Sequence, residues 1–79
     1  MALIKDCKLE RIEKTRNSVH KEVQSTYTVF NVDDTKYFQI DTYGSEDRKM
    51  TEKISQSIQF DNETAKFLVN LLVKEFNIN

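Results

Sequence analysis

Seventy-nine residues with 38% hydrophobic and 32% charged side chains describe one small domain, polar overall but periodic in its apolar positions. A chain this short buries only roughly 60% of its unfolded surface, so stability asks for a disulfide, a metal or a partner chain. The lone cysteine excludes an internal disulfide, the net charge of −1 excludes a chain that is basic throughout, and no apolar run reaches the roughly 20 residues of a membrane span.

Residues 1–18 read as a basic arm or an extra strand, preceding a single domain over 19–79. Residues 1–21 hold six basic side chains against three acidic ones (+3), and residues 22–79 hold six against ten (−4). Leu3, Ile4, Cys7, Leu9 and Ile12 are too few to define a face. Lys5, Lys8, Arg11 and Lys14 recur at a spacing compatible with one side of a helix. A strand over 8–14, turning at Arg16-Asn17-Ser18, is equally compatible. Met1-Ala2-Leu3-Ile4 is too short for a leader core, and the missing disulfide framework fits a reducing compartment, so the expected location is cytoplasmic.

From Glu22 to Val32 the pattern has period two and is rich in β-formers. Val23, Ser25, Tyr27 and Val29 point one way, and Thr26, Thr28, Phe30 and Val32 the other. Asp33-Asp34 fits a tight hairpin turn. Lys36 to Tyr43 is the return strand, with Phe38 and Ile40 on one side and Tyr37, Gln39, Asp41 and Tyr43 on the other. That second side is polar and aromatic, and is the candidate open face. Residues 44–52 form a charged excursion in which Met50 is expected to tuck back. Ile54, Ile58 and Phe60 then alternate with Ser55, Ser57 and Gln59, with Gln56 interrupting the apolar side.

Asp61 is a good N-cap and Glu63 suits the first turn of a helix over 62–76. Ala65, Leu68, Val69, Leu72, Val73 and Phe76 form its amphipathic stripe, expected to face the sheet. Phe67 and Leu71 lie outside the stripe. They either fill the core beneath a loop or form a dimer seam, and the small size favours the seam. The fold class is therefore α+β: a small antiparallel sheet of three to four strands closed by one C-terminal amphipathic helix, dimerising through that helix.

Little in the chain points to catalysis. His20 has no nucleophile placed beside it by a motif, and Cys7 with His20 falls short of the tetrahedral ligand set of zinc. Asp41, Glu46, Asp47 and Glu52 are interleaved with Arg48, Lys49 and Lys53, as in a self-neutralising loop. No glycine-rich phosphate loop is present. The expectation is a binding protein without cofactor or metal. Single-stranded nucleic acid is held by aromatic platforms and by cations tracking the phosphates. Tyr37, Gln39 and Tyr43 share one strand face, with Lys36, Arg48, Lys49 and Lys53 flanking it. The spacing equally fits tyrosines that simply cover a sheet.

Residues 38–76 resemble the positive cofactor four family of single-strand-DNA-binding transcriptional coactivators. Its members show an Ile-Asp strand ending in an aromatic, a charged loop with Lys-Met, a Gly-Lys-Gly-Ile strand and an acidic-capped helix. Here the counterparts are Ile40-Asp41-Thr42-Tyr43, Asp47-Arg48-Lys49-Met50, Lys53-Ile54-Ser55 and Asp61-Asn62-Glu63. Glu52-Lys53-Ile54 stands in place of the Gly-Lys-Gly signature. The resemblance implies a homodimer paired through the C-terminal helix, binding single strands across a curved sheet in transcription or replication. It implies Tyr43 as the stacking aromatic and Lys53, Lys49 and Lys36 as phosphate contacts. The rival expectation is a small protein-binding regulator or inhibitor, of the phage or mobile-element type, whose acidic surface occupies a basic partner site.

Overall fold

A computed structural model describes residues 1–44 and 53–78. Its elements are β1 (Ala2–Ile4), β2 (Ser25–Val32), β3 (Thr35–Tyr43), β4 (Ile54–Asp61) and α1 (Asn62–Phe76). The strands form one sheet in the order β1-β4-β3-β2. β2, β3 and β4 are antiparallel neighbours, and β1 adds parallel to β4. The sheet is thus mixed, and its extra strand lies at residues 2–4; residues 8–14 form neither strand nor helix.

The β2–β3 hairpin follows from its turn. Val32 pairs with Thr35, and Asp33 and Asp34 both adopt left-handed backbone, with φ of 49° and 66°. A two-residue loop of that hand matches the twist of the strands it joins, and aspartate tolerates it better than most residues with a β-carbon. Between Thr42 and Tyr43 the β3–β4 register shifts, so Ile54 stands opposite Tyr43 and Gln56 opposite Thr42. One added residue moves a side chain to the other face. Ile54 therefore leaves the line of Ile58 and Phe60, which explains why Gln56 interrupts that apolar alternation in the sequence.

α1 packs against β3 and β4. It lies on the side of Phe38, Phe60 and Val29, where Ala65 joins them around one shallow cavity. Phe60 is the one buried apolar side chain among the described residues, at 7% exposure, and Thr64 is the one fully buried side chain. The helix starts because the Asp61 carboxylate accepts the Thr64 amide at 2.9 Å. It stops at Asn77, which turns left-handed and directs its amide to the Val73 carbonyl.

A polar clasp holds β1 to this helix start. The Asp6 amide donates to Asp61 Oδ2 at 3.2 Å and the Cys7 amide to Thr64 Oγ1 at 3.0 Å. Asp6 and Cys7 both take positive φ, 52° and 57°, to aim those amides inward. The Thr64 hydroxyl bond to Asp61 is the main cause holding that carboxyl below its ordinary value of 3.8; the Thr64 and Asp6 amides add to it, and burial opposes it.

Candidate functional site

The sheet face turned away from α1 is assembled by strand alternation. In-register pairs set Phe30 beside Tyr37, Thr28 beside Gln39, Thr26 beside Asp41, Gln39 beside Gln59, and Asp41 beside Ser57. Directly opposed residues of an antiparallel pair project to the same side, so these side chains form one surface across β2, β3 and β4. At one end Phe30 and Tyr37 stack, with centroids 5.6 Å apart and planes 28° from parallel. At the other end the Tyr43 hydroxyl shares a 2.9 Å hydrogen bond with Thr26 Oγ1.

Between the two ends runs a hydrogen-bonded polar chain. Gln59 Nε2 donates to Gln39 Oε1 at 2.7 Å. Gln39 Nε2 donates in turn to both Asp41 oxygens, at 2.9 and 3.1 Å, and Ser57 Oγ donates to Asp41 Oδ1 at 2.8 Å. Asp41 is only 6% exposed. A carboxylate withdrawn from water stays tolerable only when its lone pairs are satisfied, and these donors do so. The chain fixes the rotamers of Gln39 and Gln59, and it leaves the Gln39 carboxamide oxygen already engaged.

The structure thus brings Tyr37, Gln39 and Tyr43 to one face. Lys36, one residue from Tyr37, points to the other side and borders the start of α1 near Asp61, Asn62 and Glu63. Lys53 is exposed and immediately precedes Ile54, the partner of Tyr43, so it sits at the Tyr43 end of the surface. Arg48, Lys49 and Met50 lie outside the described residues. Phe67 and Leu71 are half-buried and share a depression with Leu9, Glu10 and Arg11. An Arg11–Glu75 ion pair at 3.1 Å bridges the two segments there. The helical stripe expected to face the sheet does so only in part: Val69, Leu72, Val73 and Phe76 are instead the most exposed apolar side of α1.

Phe30, Thr26, Ser57 and Gln59 belong to the surface but do not stand out in the sequence as site residues. Their signal is period-two alternation combined with register: Phe30 falls on the Tyr37 face only once Val32 is paired with Thr35. The arrangement presents aromatic faces and hydrogen-bonding groups on one surface. Among the described residues no group of three or more metal-ligating side chains gathers, and no helix is long and apolar enough to cross a membrane. No family model, curated protein or solved structure matches the chain.

Proposed function

We propose that this protein is a non-enzymatic binding module that holds single-stranded nucleic acid on the sheet face opposite α1. The observation that supports the reading best is the Phe30–Tyr37 stack sharing one face with Tyr43, either side of a hydrogen-bonded polar chain. A base has a π-face whatever its sequence, so two aromatic stations offer sequence-tolerant contacts, each worth roughly 1–3 kcal/mol. Lys53 at the Tyr43 end would meet a phosphate, and Arg48 and Lys49 follow Tyr43 closely in the chain. The binding unit in this reading is a homodimer, for which the thin core, with Phe60 the one buried apolar side chain among the described residues, gives the motive.

Titration of a fluorescent oligonucleotide against added salt tests the reading. Binding at low salt that weakens steeply with ionic strength, and that Tyr37→Ala or Tyr43→Ala reduces about tenfold or more, supports it. Absence of binding by the wild type at low salt overturns it. A second reading, a protein-docking surface, draws on the middle of the face, where Asp41 is the charged group and Lys36 points away. Recovery of one stoichiometric protein partner, free of nucleic acid and lost on Tyr37→Ala, would favour that alternative.

A further inference from the structure

β2 is the outer strand of the sheet. Its sequence, Ser-Thr-Tyr-Thr-Val-Phe-Asn-Val, runs eight residues without a charge, a proline or a glycine, and it pairs with β3 without a register shift. Sheet edges in soluble proteins are ordinarily guarded by lysines, prolines, bulges, extreme shortness or a covering segment. The opposite edge obeys that rule, since β1 has three residues. β2 shows none of these guards among the described residues, and no described backbone hydrogen bond reaches its outward side.

Two further observations point outward at the same edge. On the helix side an aromatic row crosses the sheet, from Phe60 to Phe38 at 6.1 Å and from Phe38 to Tyr27 at 5.2 Å, and it stops at the edge with Tyr27 still 67% exposed. Val29 beside it is 50% exposed.

We propose that β2 pairs antiparallel with β2 of a second copy about a two-fold axis at Thr28, joining two four-stranded sheets into one. In this register Thr28 faces the partner's Thr28, Tyr27 faces the partner's Val29, Thr26 faces the partner's Phe30, and Ser25 faces the partner's Asn31. Every pair is neutral, and on the helix side the exposed apolar residues meet one another. A register centred on Val29 would set Tyr27 against Asn31. A second copy is the occupant because a strand without charge complements itself: the two-fold creates no like-charge pair. The axis stands normal to the sheet, so both helices lie on one side and both open faces form a continuous surface on the other. The inference rests on the dimeric reading given above and is independent of what that surface binds.

The test uses the full chain. Sedimentation or light scattering over a concentration series should give a dimer for the wild type and for Cys7→Ser, whose hydroxyl can still donate to the Glu63 carbonyl as the thiol does. Val29→Lys should weaken the dimer at least about tenfold with an unchanged circular dichroism spectrum. In the Cys7→Ser background, Thr28→Cys should form an intermolecular disulfide under mild oxidation. Opposed residues of an antiparallel pair lie about 4.5–5.5 Å apart at Cα, within disulfide reach. Ser25→Cys, facing Asn31, should not. A wild type that stays monomeric overturns the dimeric reading and the edge together. A dimer that survives Val29→Lys and leaves Thr28→Cys uncrosslinked overturns the edge alone and moves the contact elsewhere.

Discussion

Replacing Thr64, the one fully buried side chain among the described residues, by valine keeps its shape and deletes its hydroxyl. That oxygen accepts the Cys7 amide at 3.0 Å and bonds the Asp61 carboxylate. Without it the Cys7 amide loses its acceptor at a part-buried site, a cost of about 1–3 kcal/mol. The extra methyl returns roughly 0.8 kcal/mol of burial. The net loss is up to about 2 kcal/mol, which in a domain of this size lowers Tm by up to roughly 16 °C. The damage is local first: of the two amides that hold the left-handed turn at Asp6 and Cys7, the Cys7 amide is unpaired and only the Asp6 amide keeps its acceptor, Asp61 Oδ2. Amide hydrogen exchange reads this directly. Cys7 should be protected in the wild type and in Thr64→Ser, and should exchange freely in Thr64→Val. An unchanged Tm together with a still-protected Cys7 amide in Thr64→Val would refute the clasp.

Asp61 carries a pH signature with a definite sign. Its folded pKa lies below the ordinary 3.8, so its contribution to stability is fully present above 3.8 and is lost as pH falls from there through the folded value. An acid titration followed by circular dichroism should show that loss, and Thr64→Val should flatten it, because the largest cause of the shift is gone. Asp34→Gly should stabilise the protein by about 1 kcal/mol, since φ is 66° at Asp34; thermal melting reads the rise. Phe60→Ala removes the buried centre of the aromatic row and should cost about 3–5 kcal/mol, enough to shift a denaturant midpoint strongly.

The strand, hairpin, strand and helix are legible because each rests on local chemistry, although β2 starts at Ser25 rather than at Glu22, where the alternation begins. Period-two alternation marks β2 and β3, Asp33-Asp34 marks the turn, Asp61 marks the cap, and the helical stripe marks α1. The candidate face is legible in part: alternation alone puts Tyr37, Gln39, Asp41 and Tyr43 on one side of β3. Its remaining members are not, because Phe30, Ser57 and Gln59 join it only through cross-strand register, a relation between distant segments. The same limit applies to Lys36, which flanks the tyrosines in sequence yet projects to the helix side, as adjacent residues of a strand must.

By itself the sequence determined an α+β chain with a polar-aromatic strand face and a capped amphipathic helix, since those features depend on neighbours within a few residues. Only the tertiary structure decided that Ala2–Ile4 adds a parallel edge, and that Asp6 and Cys7 clasp the start of the helix. It likewise decided that a register shift carries Ile54 across the sheet and that β2 lies at the sheet's outer edge. Each of these is a pairing between residues far apart in the chain, and such pairings are selected by the packed whole rather than by local propensity.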